Sequence, residues 1–195
     1  MTVQRRFWMR WRVRLGYPVA LVYWLLATPS PRWILIGGMV AALGLMVRAS
    51  AAGYLRKSED LAMSGPYART RNPLYFGSAL IAAGFSMAGF SWPGGAAVML
   101  YFCVFYYAVM RNEEEELRER YGQAFDNYAA RVPLFFPRLA DSKMGTEATA
   151  QRAKEFSWRQ YRRNREYQAL IGMIAGLVAL WLRMLLRARA PWLLP

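Results

Sequence analysis

The chain has no histidine and a single cysteine in 195 residues. The first absence removes imidazole acid–base chemistry and most zinc sites. The second excludes a disulfide framework and a cysteine-built metal centre, and no metal site is expected. Cys103 sits in the middle of an apolar block and reads as a buried space-filler. Acidic residues are scarce, with 12 Asp and Glu against 26 Lys and Arg, a net charge of +14. Such an excess suits either nucleic acid or an anionic membrane surface. No internal repeat is visible.

What is present decides between those partners. The composition is 56% hydrophobic, with 8 Trp, 12 Tyr and 10 Phe. The apolar residues are clustered into charge-free blocks of about 13 to 19 residues, near the length of a bilayer span. The expected partners are therefore a lipid bilayer and a lipid-like small molecule, with no nucleic acid; the oligomeric state stays open. The expected fold is an all-α integral membrane protein with about five transmembrane helices and a cytoplasmic amphipathic helix.

Arg5, Arg6, Arg10, Arg12 and Arg14 alternate with aromatic residues and precede an apolar stretch without a small-residue cleavage site. That pattern predicts a retained span with a basic interfacial anchor, not a cleaved signal. Spans are predicted at 15–28, 33–47, 74–90, 92–110 and 169–182, the last extendable if Arg183 snorkels. Gly37, Gly38 and Gly44 offer close helix contact, and Ser91 is a candidate helix cap. Three parts follow: a membrane core over 1–137, with its motif-bearing part at 50–137; a polar linker over 138–155; and a C-terminal interfacial segment with the last span over 156–195. The Lys/Arg bias places the N-terminus and the loops 48–72 and 111–168 in the cytoplasm. Arg187 and Arg189 then fall outside, against the rule.

Two polar stretches carry the chemistry. Gly65 to Gly77, GPYARTRNPLYFG, is a corner rich in glycine, proline and arginine at the mouth of the third span. Pro73 suits a first helical turn and biases Asn72 away from helix. The free N–H groups of that turn suit an anion, with Arg71 or Arg69 beside them. The second stretch begins at Arg111, RNEEEELRERYGQAFDNYAARVPLFFP. Leu117, Tyr121, Phe125, Tyr128 and Val132 recur at helical spacing, which predicts an amphipathic helix along the membrane face. A hairpin of the third and fourth spans brings Arg71 and Asn72 near Glu113 and Glu114. Carboxylates beside a span end are costly unless used, which singles out this pair. Glu115, Glu116 and Glu119 read as solvated. Arg165 and Glu166 lie at the mouth of the last span, where they can close a pocket.

The run Arg71-Asn72-Pro73-Leu74-Tyr75-Phe76-Gly77 resembles the Arg-His-Pro-x-Tyr-x-Gly motif of the isoprenylcysteine carboxyl methyltransferase family. Glu113-Glu114-x-x-Leu117-x-x-x-Tyr121-Gly122, followed by Tyr128, Val132, Pro133 and Pro137, is similar to that family's second motif. The resemblance covers about residues 50–137, and Asn72 stands where histidine is usual. The family includes phospholipid methyltransferase-like membrane enzymes that use S-adenosylmethionine. It therefore implies a methyltransferase acting on a lipid or prenylated substrate, with the cofactor at the cytosolic end of the hairpin. For bacterial members it implies the inner, or cell, membrane. The implied cofactor set is Tyr67, Arg71, Asn72, Pro73, Tyr75, Gly77, Glu113, Glu114 and Tyr128; Arg71, Glu114 and Arg165 are the expected catalytic residues. The residues fit that cofactor. Arginine suits its carboxylate, the two glutamates its ribose or ammonium, and the faces of Tyr75, Tyr106 or Tyr107 its sulfonium.

Two other classes remain open. Membrane sterol-reductase-like proteins carry a similar corner and use NADPH, whose phosphates call for several cations. A non-enzymatic protein could use its basic face to recruit anionic lipid or a partner. The acidic pair favours a cationic cofactor over the first and a buried function over the second. The acceptor atom, O, N or S, stays open.

Overall fold

The computed structural model describes residues 3–56, 61–138 and 155–189. Among them every regular element is helical: α1 Val3–Leu26, α2 Pro31–Tyr54, a 3-10 turn at Gly65–Ala68, α3 Pro73–Ala88, α4 Trp92–Tyr121, α5 Gln123–Ala129, α6 Trp158–Arg163 and α7 Tyr167–Arg189. Nearly all of the polar linker expected at 138–155 lies outside the described residues.

The helices α2, α4 and α7 are long and apolar enough to cross a membrane. At 16 residues α3 is shorter, and at 1.5 Å per residue it covers about 24 Å of a ~30 Å hydrocarbon core. The basic N-terminal stretch and the expected first span form one helix, α1. Prolines fix where the helices begin: Pro31, Pro73 and Pro93 each stand in a first turn, where the missing N–H costs nothing. Ser91 caps α4 by accepting the Gly94 N–H at 3.3 Å.

The closest packing joins α2 to α3, along a seam of facing glycines. A Cβ on Gly37 would fall 2.2 Å from the Gly84 carbonyl oxygen, and one on Gly44 would fall 2.5 Å from that of Gly77. The same seven-residue step on both antiparallel helices sets the register, as small residues do where backbones must approach. Gly38 instead faces Leu177 of α7 at 3.6 Å. On α1 and α4, Gly16 stands opposite Tyr101, and Tyr23 opposite Gly94.

At one end of the bundle the short turns are tied together. The Thr28 backbone N–H donates to the Gly89 carbonyl at 2.7 Å, its hydroxyl to the Phe90 carbonyl at 2.7 Å, and Trp33 stacks on Phe90 at 4.8 Å. Tyr23, Ala27, Ala88 and Leu180 form the core there. Arg183 does not snorkel. It is fully buried, donates from Nε to the Ala27 carbonyl at 2.6 Å and from Nη2 to that of Leu25, and lies over Trp24 at 5.0 Å. The last carbonyls of a helix lack partners within it and attract cations, so Arg183 caps α1 from α7. Arg187 reaches the same Ala27 carbonyl at 3.5 Å. Both arginines are thus held at this end by protein contacts that a count of charges does not register. Cys103, expected to be buried, is exposed: it lies on the outward face of α4, where an apolar block meets its surroundings and not the core.

Candidate functional site

The other end gathers the polar residues. The corner at 65–72 does not run on as α-helix: Gly65 has φ +60°, and Asn72, before proline, has φ −125° and ψ 56°, outside the helical region. Its backbone is held by the strap that follows α5. The Arg71 N–H donates to the Pro133 carbonyl at 2.9 Å and the Arg138 N–H to the Arg69 carbonyl at 3.0 Å. The Thr70 hydroxyl, 2% exposed, donates to the Phe135 carbonyl at 2.9 Å. Asn72 Nδ2 donates to the Leu134 carbonyl at 3.0 Å, so this side chain ties the corner to the strap. The Tyr128 hydroxyl donates to the Tyr67 carbonyl at 2.7 Å. Burial pushes the phenols of Tyr67 and Tyr128 well above the usual tyrosine range, so both stay neutral donors.

The run from Arg111 divides. Its first part extends α4 to Tyr121; Gly122, at φ +52°, breaks the helix and α5 follows. Phe125, Tyr128 and Val132 are buried against Leu61, Met63, Leu117 and Tyr121. The apolar side that was expected to lie on the membrane face is therefore covered by the chain itself.

The α3–α4 hairpin brings both motifs together. Arg71 Nη1 donates to Glu114 Oε1, and Arg111 Nη1 donates to Glu114 Oε2 at 2.8 Å. Glu114 is 4% exposed, and two guanidinium partners offset the desolvation of its charge. The Tyr75 hydroxyl donates to Glu113 Oε1 at 2.6 Å, and its ring meets Tyr106 edge-on at 5.4 Å. Arg71 Nε is buried without a hydrogen-bond partner; such a donor is costly to leave unmade. These groups face a cavity of about 940 Å³, near the upper end for small-molecule sites.

Of the expected residues, Tyr67, Arg71, Asn72, Pro73, Tyr75, Glu113, Glu114 and Tyr128 line this cavity. Gly77 does not: a Cβ there would lie 2.6 Å from both the Arg48 Cγ and the Gly44 carbonyl oxygen. It packs in the α2–α3 seam. Arg165, expected to be catalytic, is not in the wall either. It occupies the turn before α7 at φ +55°, and its neighbour Glu166 lines the cavity. Glu166 pairs with Arg48, which also donates to the Ser78 hydroxyl at 2.5 Å and the Leu74 carbonyl at 3.2 Å. Arg48 was not anticipated. A lone cation closing an apolar block is a signal of it, but the same pattern fits an interfacial anchor. Tyr107 is exposed and lies outside the lining, whereas Tyr106 is within it.

Residues 32–124 match the family model for phospholipid methyltransferases, so the resemblance carried by the two motifs is shown over that stretch. The chain is 32% identical over 141 residues to the nickel-cobalt-cadmium resistance protein NccN of Alcaligenes xylosoxydans xylosoxydans, covering 67% of this chain and 64% of that protein. It is 35% identical over 113 residues to the cobalt-zinc-cadmium resistance protein CzcN of Cupriavidus metallidurans, covering 57% of this chain and 52% of that protein. The matches thus span less than two thirds of either relative. No solved structure matches.

Proposed function

We propose that the protein is an integral-membrane methyltransferase that uses S-adenosylmethionine and methylates a lipid-like acceptor. The observation that carries this is the cavity end where Arg71, Glu114, Glu113 and Tyr75 converge, inside the stretch that matches phospholipid methyltransferases. The donor set fits the cofactor. Arg71, with its unpartnered Nε, and the first turn of α3 after Pro73 suit the carboxylate. Glu113 suits the ribose or ammonium, and the Tyr75 and Tyr106 faces suit a cationic sulfur. When bound, the cofactor supplies an electrophilic methyl group. The residues hold, align and shield it from water, and none needs to act as an imidazole base.

Sidedness follows from charge. Arg48, Arg56, Arg71 and Arg120 at the cavity end favour a cytoplasmic site. Five crossings are the proposed topology, with α1 and the short α3 added to the three long apolar helices.

Calorimetry of the purified chain tests this reading. S-adenosylmethionine is expected to bind and NADPH is not. Glu113, Glu114, Glu116 and Glu166 share the lining, and their carboxylates oppose the phosphates of NADPH but suit a cationic cofactor. Binding of NADPH alone would favour the sterol-reductase-like reading, and binding of neither a recruiting role without catalysis.

The relatives' names concern metal resistance. Among the described residues no group of three His, Cys, Asp or Glu is placed to hold a metal ion. We propose that any share of such a role runs through methylation of a membrane component.

A further inference from the structure

The cavity extends beyond the polar corner. One end holds Arg71 and Glu113; the other lies between α1 and α4, against Gly16, Tyr17, Ala20 and Tyr101. From Tyr101 to Glu113 the wall runs about 18 Å along α4 at 1.5 Å per residue. Its character changes on the way. Tyr101 packs on Phe105 at 4.9 Å, and Tyr106 stacks on Phe102 at 4.2 Å and meets Tyr75, which donates to Glu113. Charged groups thus give way to aromatic rings. On the facing side α1 presents small residues one turn apart, Gly16 and Ala20. A Cβ on Gly16 would lie 3.2 Å from the Tyr101 hydroxyl, so any larger side chain must enter the crevice or displace that ring. Tyr17, Ala20 and the neighbouring Leu21 are exposed, so the crevice opens on the outward face of the bundle, where membrane-crossing helices meet acyl chains.

We infer that the α1–α4 crevice is a binding site for a hydrocarbon chain, that of a membrane amphiphile whose polar end reaches Arg71 and Glu113. Helix α1 lies outside the stretch matched by the family model, so the crevice is not part of what that match covers. What happens at the polar end rests on the methyltransferase reading; occupation of the crevice does not.

The full chain is placed in phosphatidylcholine nanodiscs containing a trace of phosphatidylethanolamine with a diazirine on its acyl chain. Illumination and peptide mapping follow, beside calorimetry with S-adenosylmethionine. Adducts are expected at the lining residues Tyr101 and Tyr106 as well as on the outward residues Cys103, Val104, Ile171, Ile174 and Val178. Gly16→Phe should abolish the first set, keep the second and leave cofactor affinity unchanged. Ala20→Trp, at an exposed position, should do the same and covers the case in which Gly16→Phe does not fold. Undiminished labelling of Tyr101 and Tyr106 in a folded variant, or its absence from the parent, overturns the proposal. Loss of the Tyr101 and Tyr106 adducts in a protein that binds no S-adenosylmethionine sustains the crevice and sinks the methyltransferase reading instead.

Discussion

Arg48 and Glu166 stand 118 residues apart in the chain and meet in a forked ion pair, with Nη2 2.9 Å from each carboxylate oxygen and Nε 3.1 Å from Oε2. The pair ties α2 to the turn that opens α7, on the wall of the cavity. Around it, Asn164 Nδ2 donates to the Ala52 and Leu55 carbonyls at 2.9 Å, capping the end of α2. The segment that follows the linker therefore closes the site.

Removing one member of this pair should cost more than removing both. Glu166→Ala leaves Arg48 largely buried with only the Ser78 hydroxyl and the Leu74 carbonyl, and should lower stability by about 3 kcal/mol. Arg48→Met with Glu166→Leu should restore much of it, because no lone charge remains. Thermal unfolding in detergent reads the difference; equal losses in both variants would mean that the pair is a solvated one.

The two adjacent glutamates should separate by role. Glu114 carries two arginines and is almost wholly buried, so Glu114→Gln should lower both the melting temperature and S-adenosylmethionine affinity. Glu113 pairs with Tyr75 at the cavity. Glu113→Gln should weaken the cofactor by about 1–3 kcal/mol, one charge-assisted hydrogen bond, with little change in melting. Glu119→Gln, exposed and outside the cavity lining, should alter neither. The same affinity across all three would show the acidic run to be a solvated face.

The glycines make a graded series. At Gly77 an added Cβ meets Arg48 and the Gly44 carbonyl, so Gly77→Ala should cost about 1–3 kcal/mol by overpacking. At Gly122 there is open space but a φ of +52°, so Gly122→Ala should cost about 1 kcal/mol in backbone strain alone. Gly172 has neither constraint and Gly172→Ala should be neutral or slightly stabilising. Denaturation in a common detergent orders the three; a neutral Gly77→Ala would refute the seam.

The corner and the acidic pair were legible because their signals are local. Glycine, proline and the Asn-Pro step mark a bend, and the hairpin between the motifs is short enough to bring Arg71 to Glu114. A motif glycine such as Gly77 announces a close approach without naming what approaches; here it is α2. Glu166 was placed at the pocket mouth by its position before the last span, but its partner Arg48 was hidden by their separation, since nothing in an apolar block marks which distant carboxylate will meet its terminal cation. Arg183 was more legible than its reading allowed. A single charge within the last apolar block calls for a partner inside the protein, and the partner is the end of α1. Cys103 shows the limit of composition, because a membrane-facing side and a core are equally apolar.

Arg71 decides the placement of the cofactor. Its Nη1 is spent on Glu114 and its Nε has no partner, while Arg111 holds the other oxygen of Glu114. Arg71→Ala therefore leaves Glu114 one cation, and the fold should survive with a loss of about 1–3 kcal/mol. Cofactor binding should suffer more, since the carboxylate would keep only the α3 terminus. Arg71→Lys keeps a charge but loses the planar fork; its affinity should fall between the two, and single-turnover methyl transfer should fall further than affinity because alignment is lost. Arg118→Ala serves as the control, because that guanidinium pairs with Asp126 on the surface at 2.8 Å and lies outside the cavity lining. The measurements are S-adenosylmethionine affinity, melting temperature and single-turnover transfer in nanodiscs for the three variants. An Arg71→Ala protein that is folded and binds the cofactor as tightly as the parent would place the carboxylate elsewhere, with Arg48 the next guanidinium on the same wall.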